Sequence, residues 1–146
     1  MNTGTVRKLG DGRVAVRFER RFPHPVAKVW RALTEVDQLR EWFVEILDYE
    51  RSRLAFEPGA DLAFFSRDGV SAGSGRVVAC EPPTLLEYTW DTETLRFELA
   101  EDGPAATVLV FTNIVDDHGT AAAVAPGWGT GLDRLGARLD GDHALR

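Results

Sequence analysis

Residues that support redox or metal chemistry are scarce in this sequence. The single cysteine, Cys80, permits no internal disulfide, and a lone thiol cannot build a multi-thiolate zinc site. The three histidines have no partners at metal-ligand spacing; they are His24, His118 and His143. We therefore expect no metal and no other cofactor. Cys80 ends an apolar segment, and we interpret it as a small buried hydrophobic residue.

Long apolar runs and clustered positive charge are also missing. No run approaches the roughly 18 residues of a membrane span, and residues 1–8 contain no apolar signal segment. We therefore expect a cytoplasmic protein that does not bind membranes. Its 17 basic and 23 acidic residues give a net charge of −6, which argues against nucleic acid, because phosphate contacts need clustered cations. One basic cluster is predicted on the solvated side of a strand: Arg17, Arg20 and Arg21.

No catalytic motif emerges. The segment Gly73-Ser74-Gly75 lacks the third glycine of a phosphate-binding loop, and Ser74 does not occupy a Gly-x-Ser-x-Gly turn. Glu87 and Glu98 are predicted on outward strand faces, whereas a glycosidase needs two carboxylates that converge in one cleft. The sequence therefore favours a protein that has no catalytic residues and is not an enzyme.

The residues that are present predict one domain. A chain of 146 residues with 44% hydrophobic residues can bury a single core. We expect a flexible leader over residues 1–12 and one domain over residues 13–146. Residues 13–22 alternate as a half-buried strand. One helix is predicted to begin with Pro25 at its first helical position and to continue through the helical spacing of Val26, Val29, Trp30 and Leu33. A second is predicted over 37–42, with Asp37 as the N-cap.

The middle of the chain predicts antiparallel strands. Pro58-Gly59 and Asp68-Gly69 are turn signals, and residues 107–115 are apolar on both faces, as expected of a central strand. The predicted strands are 53–57, 61–67, 71–80, 85–91, 94–101 and 106–115.

A closing helix is predicted over residues 127–139. Its apolar residues follow a helical period and should lie on the sheet: Trp128, Leu132, Leu135 and Leu139. The helix begins between Thr120 and Trp128, and Pro126 makes its first half either a separate turn or a kink. Three glycines leave open whether this helix is closely docked or mobile: Gly129, Gly131 and Gly136.

Five segments carry a family resemblance. Residues 26–34, followed by residues 39–43, resemble the early helices of the START-like (SRPBCC) helix-grip superfamily. Residues 75–83, which end in Pro82-Pro83, together with residues 85–90 and the Gly127-Trp128 helix, resemble its branch of homologues of the heat-shock-protein ATPase activator. The resemblance implies an α+β helix-grip fold. Two short helices follow the first strand, and a curved antiparallel sheet of six to seven strands surrounds a long C-terminal helix.

The resemblance also implies a cavity between the sheet and the C-terminal helix. Each aromatic ring could instead simply fill the core. Tyr88 and Trp128 are the foremost candidates, because each carries a polar group that needs a partner when it is buried. The predicted cavity-lining residues are Trp30, Leu33, Trp42, Phe43, Phe64, Tyr88, Trp90, Trp128 and Leu132.

Three functions follow from this resemblance, because the fold alone does not fix activity. The first is a monomer or homodimer that binds a small hydrophobic or aromatic molecule. The alternative is a co-chaperone-like module that binds a heat-shock chaperone and stimulates its ATPase. The third is a cyclase- or hydrolase-like enzyme, which would need Glu41, Arg96 or Tyr88 to turn inward as an acid or base.

Overall fold

The computed structural model describes residues 4–144 of the chain. Within that range the main chain forms seven β-strands and three α-helices, and no helix is long and apolar enough to cross a membrane. The first three residues of the predicted leader and the side chain of His143 lie outside the described part. The elements are β1 (Thr5–Lys8), β2 (Val14–Phe22), α1 (Val26–Thr34), α2 (Val36–Leu39), β3 (Asp61–Phe65), β4 (Ser71–Glu81), β5 (Leu85–Trp90), β6 (Glu93–Glu101), β7 (Thr107–Val115) and α3 (His118–Ala144).

One antiparallel sheet contains all seven strands. Its order is β1-β2-β7-β6-β5-β4-β3, so β7 lies inside the sheet between β2 and β6, as its apolar sequence predicts. Phe111 of β7 is opposite Phe18 of β2 and Phe97 of β6, and these three buried rings form the middle of the core. This architecture confirms the predicted α+β helix-grip fold.

The closing helix α3 is continuous and closely docked. It begins at His118, two residues before the predicted interval, and Pro126 lies inside it without ending it. A Cβ atom on Gly136 would lie 3.3 Å from the Phe22 ring, and one on Gly129 would lie 3.5 Å from the Phe18 ring. The glycines thus allow the helix to approach β2. The predicted apolar stripe is buried at Leu132, Leu135 and Leu139, while Trp128 is half-buried.

The prediction for the N-terminal segment needs correction. Residues Thr5–Lys8 form β1, with Val6 opposite Val16 of β2. All four residues of β1 are exposed, so no apolar alternation marks the strand in the sequence. Pairing at a sheet edge rests on main-chain hydrogen bonds, which any residue except proline can form.

Three other predicted elements also need correction. Residues 53–57 contribute only an isolated bridge between Arg53 and Ala63, because the amide of Glu57 turns back to the carbonyl of Ala55. Helix α2 is a single turn over Val36–Leu39 rather than 37–42, and its N-cap is Glu35 instead of Asp37. Helix α1 begins at Val26, one residue after its predicted start.

Arg20 was wrongly predicted on the solvated side of its strand. Its side chain belongs to the inner face with Phe18 and Phe22, and the residue is only 8% exposed. The Nη1 atom of Arg20 lies 2.8 Å from an oxygen of Asp133 in α3. Strand alternation alone would have placed Arg20 with the two phenylalanines, and this ion pair connects β2 to the closing helix.

Candidate functional site

A cleft of about 740 Å³ opens where the first half of α3 passes over one end of the sheet. The segment after α2 and the β5–β6 hairpin form its other walls. Its volume suits a small organic molecule, since ligand pockets commonly span about 300–1,000 Å³. The lining residues are Trp42, Phe43, Val44, Glu45, Trp90, Asp91, Thr92, Glu93, Ala123, Val124, Pro126, Gly127, Trp128, Thr130, Gly131 and Arg134.

Four aromatic side chains meet in the wall of the cleft. The Phe43 ring is central, with its centroid 5.3 Å from that of Trp42, 6.2 Å from that of Trp90 and 5.8 Å from that of Trp128. These rings come from the segment after α2, from the end of β5 and from α3. A surface shared by three distant parts of the chain can hold an apolar group only in the folded protein.

The indole of Trp90 is held firmly in this wall. Phe64 stacks on it with centroids 3.9 Å apart and an interplanar angle of 3°. Its Nε1–H donates to the carbonyl of Ala72 at 2.8 Å. The backbone of Gly73 passes so close that a Cβ atom there would lie 2.5 Å from Nε1, and its φ of +127° also favours glycine. The cleft therefore meets the part of the indole that Phe64 leaves uncovered.

The indole of Trp128 is fixed by a buried amide. Its Nε1–H donates to Oδ1 of Asn113 at 2.9 Å. Asn113 is fully buried, and its Nδ2 donates to the carbonyl of Thr94 at 3.0 Å and, less closely, to a Glu93 oxygen at 3.4 Å. This chain of contacts orients Trp128 relative to β6 and β7. Asn113 is thus the partner that we predicted the Trp128 N–H would need.

Charged groups surround the aromatic wall. Arg134 of α3 lies 2.9 Å from the carboxylate of Glu45, so these two charges neutralise each other. Burial raises the pKa of Glu93, and the nearby charges of Asp116 and Asp91 raise it further, against the hydrogen bond from Asn113. A carboxylate with a raised pKa in a cleft is a frequent mark of functional sites.

The hairpin between β5 and β6 has a constrained shape. Asp91 has a φ of +54°, which is uncommon for a residue with a side chain. Its amide donates to the carbonyl of Ser74 at 2.7 Å, and its Oδ1 accepts from the amide of Ser74 at 3.0 Å. Arg13 donates to the carbonyl of Thr92. These bonds, to β4 and to the residue before β2, hold the acidic hairpin at the mouth of the cleft.

Residues 23–140 match the family model described as "Activator of Hsp90 ATPase homolog 1-like protein". The chain belongs to this family. The match covers most of the domain, from the segment before α1 to near the end of α3, and so includes every wall of the cleft. No curated protein matches the chain.

Solved structures resemble this member of the family. The conserved protein of unknown function EF2215 from Enterococcus faecalis is 26% identical, with a TM-score of 0.75 over 90% of this chain and 74% of that one. Protein MLL2253 from Mesorhizobium loti is 24% identical, with a TM-score of 0.72 over 86% and 96% of the two chains. CalU16 from Micromonospora echinospora is 22% identical, with a TM-score of 0.70 over 99% and 88%. The last two likenesses establish the fold alone.

In this family member, four of the nine predicted site residues line the cleft: Trp42, Phe43, Trp90 and Trp128. The other five do not, and they are Trp30, Leu33, Phe64, Tyr88 and Leu132. Phe64 supports the site from behind Trp90. Tyr88 is buried between Phe56 and Phe97, and among the described residues its hydroxyl has no hydrogen-bond partner. Burial raises the pKa of this hydroxyl.

The residues proposed for acid–base chemistry do not enter the cleft. Glu41 is exposed, and Arg96 lies on the outer face of the sheet, where it pairs with Glu87 and Glu98. Within the described part of the chain, no three histidine, cysteine, aspartate or glutamate side chains form a metal-binding group. Cys80 is half-buried, and burial raises the pKa of its thiol.

Sequence reasoning missed the polar part of the site. Asp91, Thr92 and Glu93 form the hairpin at the mouth of the cleft, and Asn113 fixes Trp128. For Asn113 a signal existed, because it occupies an inward position in the otherwise largely apolar alternation of β7. A buried amide in such a position usually has a specific partner.

Proposed function

We propose that this protein binds a small hydrophobic or aromatic molecule in the cleft between α3, the segment after α2 and the β5–β6 hairpin. One observation carries the proposal: three tryptophans and Phe43, from three separate parts of the chain, line one open volume of about 740 Å³. Trp90 and Trp128 are half-buried and present ring surface to this volume, whereas Trp42 and Phe43, at 2% and 4% exposed, reach it with little of their surface. Burial of the apolar part of the ligand would supply most of the affinity.

The expected affinity can be bounded. A two-ring aromatic molecule that removes about 200 Å² of apolar surface from water gains roughly 5 kcal/mol at about 25 cal/mol per Å². A gain of about 5 kcal/mol corresponds to a Kd of about 0.2 mM, and ordering costs weaken it, so a bare aromatic fragment should bind with a Kd between about 0.2 mM and a few mM. The natural ligand would add one or two oriented polar contacts.

The direct test is NMR of ¹⁵N-labelled protein titrated with 1-naphthylmethanol. We expect the indole N–H signals of Trp90 and Trp128 to shift, while that of Trp30, which lies outside the cleft, stays constant. Tryptophan-to-phenylalanine variants assign the signals. Failure of both cleft indoles to shift at millimolar concentrations of the probe would overturn the proposal.

A blocking variant sharpens this test. A Cβ atom added to Gly127 would meet nothing within 4 Å, so Gly127→Leu places a side chain in the open cleft and also favours the helix. Ala122→Leu is the matched control, since Ala122 is an exposed residue of α3 outside the cleft. We expect Gly127→Leu to abolish the shifts and Ala122→Leu to preserve them.

A second candidate is a module that binds a heat-shock chaperone and stimulates its ATPase. Membership of the activator-like family favours it. A chaperone pull-down followed by an ATPase assay tests it. The absence of both binding and stimulation would overturn this candidate. The Gly127→Leu variant separates the two functions, since a contact made outside the cleft would survive the blocked cleft. For either function we propose a cytoplasmic location, in keeping with the single cysteine.

A further inference from the structure

The charge of the cleft is predominantly negative. Its lining contains the carboxylates of Glu45, Asp91 and Glu93 and a single guanidinium group, that of Arg134. Arg134 forms an ion pair with Glu45, with 2.9 Å between Nη1 and Oε2. Asp91 and Glu93 therefore remain as the carboxylates that a ligand would meet without a cation of the lining beside them.

Residues just behind the hairpin leave this imbalance in place. Asp116 accepts a hydrogen bond from the Thr92 hydroxyl at 2.7 Å and adds a further negative charge near Glu93. Arg13 lies 3.9 Å from Asp116 and offsets it. Among the described residues, no ion pair is formed by Glu93 itself. Burial is the main cause of the raised pKa of Glu93; the charges of Asp116 and Asp91 raise it further, while the hydrogen bond from Asn113 and the charge of Arg13 lower it.

The aromatic wall favours the same sign of charge. The face of an indole ring is electron-rich and attracts cations, and tryptophan is the strongest of the aromatic side chains in this respect. Trp90 and Trp128 both line the cleft, and both indole N–H groups are already bound to the protein. A ligand therefore meets ring surfaces and carboxylates together.

We infer that the ligand is an organic cation, in which an amine or quaternary ammonium group is attached to an apolar or aromatic body. The cation would lie beside Glu93, and the body would contact the rings of Phe43, Trp90 and Trp128. This inference rests on the proposed function, because it specifies the chemistry of a ligand for the same cleft. Neutral aromatic ligands and aromatic acids are the competing classes.

Three probes with one ring system and different charge test the inference at pH 7: 1-naphthylmethylamine, 1-naphthylmethanol and 1-naphthylacetate. Binding is measured by the shifts of the Trp90 and Trp128 indole signals and by calorimetry. We expect the ammonium probe to bind about tenfold more tightly than the alcohol, and the acetate to bind most weakly. Added salt should reduce the ratio between the ammonium probe and the alcohol, because it screens charge.

Variants locate the effect. Glu93→Gln removes the charge and keeps the shape, so we expect the preference for the ammonium probe over the alcohol to fall to about threefold or less. Asp91→Asn should lower the preference for the ammonium probe in part, because it removes a second carboxylate. Asparagine tolerates the positive φ at this position, so the hairpin should keep its shape. Glu98→Gln is the matched control on the outer face of β6 and should leave all three affinities as they were. Thermal melts verify that each variant is folded.

The outcomes separate the inference from the proposed function. Equal or tighter binding of the alcohol, or an ammonium preference that survives Glu93→Gln, would overturn the organic cation and leave a hydrophobic binding protein. If none of the three probes moves the cleft indole signals, both proposals are overturned.

Discussion

The buried amide of Asn113 supports a quantitative prediction about how the wall of the cleft is built. Asn113→Leu keeps a side chain of similar size but leaves the Trp128 Nε1–H and the Thr94 carbonyl without the partners that they have at 2.9 and 3.0 Å. A buried polar group that loses its partner costs about 1–3 kcal/mol. Trp128 is half-buried and can turn its N–H towards water, so we expect a loss of about 2 kcal/mol in the free energy of unfolding.

A double-mutant cycle isolates the contact itself. Trp128→Phe removes the donor and leaves Oδ1 of Asn113 unpaired, whereas the variant with both substitutions has neither the donor nor the acceptor of this bond. The double variant should therefore be about 1 kcal/mol more stable than the sum of the two single effects predicts. Urea unfolding, followed by far-UV circular dichroism, gives the free energies, and similar m-values would show that the unfolding behaviour is retained.

The control for this cycle replaces a different indole. Trp90→Phe also removes a donated N–H, but its acceptor is the carbonyl of Ala72 and not Asn113. Combined with Asn113→Leu it should give effects that add to within about 0.5 kcal/mol. Additive free energies for the pair Asn113 and Trp128 would refute the reasoning, because they would mean that the amide does not fix the indole.

Four further predictions follow from close contacts and burial. Gly127→Ala should raise the free energy of unfolding by about 0.5–1 kcal/mol, because its Cβ meets open space, whereas Gly136→Ala should gain less or lose stability, because its Cβ lies 3.3 Å from an aromatic ring of β2. Gly75→Ala should cost at least about 3 kcal/mol or prevent folding, because its Cβ would lie 1.7 Å from a carbonyl oxygen of β5. Tyr88→Phe should be neutral or stabilising by up to about 1 kcal/mol, because it removes a buried hydroxyl that has no partner among the described residues. Glu93→Gln should stabilise the fold at pH 7 but not at pH 4. The raised pKa of Glu93 in the folded state means that wild-type stability falls as the pH rises above the unfolded-state pKa of about 4.3. Urea midpoints at the two pH values measure this difference, and urea unfolding at pH 7 measures the others.

Each of these predictions has a contrary result. Equal effects of alanine at Gly127 and Gly136 would mean that α3 does not approach β2 as closely as described. A well-folded Gly75→Ala variant would refute the close passage of β4 and β5 at that point. A loss of more than about 1 kcal/mol in Tyr88→Phe would show that the hydroxyl makes a favourable bond. A stabilisation by Glu93→Gln that is the same at both pH values would remove burial of its charge as the cause.

Most of the fold could be predicted because periodicity reports which face of an element is buried. The alternation of Leu95, Phe97 and Leu99 predicted β6, and the helical spacing from Trp128 to Leu139 predicted α3. Strand β1 could not be found in this way, since all four of its residues are exposed. The same limit explains Arg20, whose charge suggested solvent although its position in β2 points inward. The alternation of a strand can place a charged side chain on the inner face when a partner of opposite charge, here Asp133, pairs with it.

The site was less predictable than the fold because a cleft depends on distances between elements. The aromatic residues were visible in the sequence, but nothing in it separated Trp90, which lines the cleft, from Tyr88, two residues earlier on the same face of β5. The difference arises because Tyr88 lies in the middle of the strand, under Phe56, whereas Trp90 ends the strand at the open edge. In the sequence, the hairpin carboxylates look like those of an ordinary solvated turn, because only the folded position of α3 brings them to a cleft.

The hydrogen bonds of the cleft indoles restrict what a ligand can gain there. Trp42, Trp90 and Trp128 donate their N–H groups to the carbonyl of Ala32, the carbonyl of Ala72 and the side chain of Asn113, at 2.8, 2.8 and 2.9 Å. None of these donors is left for a ligand acceptor, so the rings offer only their surfaces. The carboxylate oxygens of Asp91 and Glu93, by contrast, are charged acceptors, and the guanidinium group of the lining, that of Arg134, already pairs with Glu45. The lining therefore carries more negative than positive charge, which favours a ligand that brings its own donors and positive charge over a carboxylate ligand.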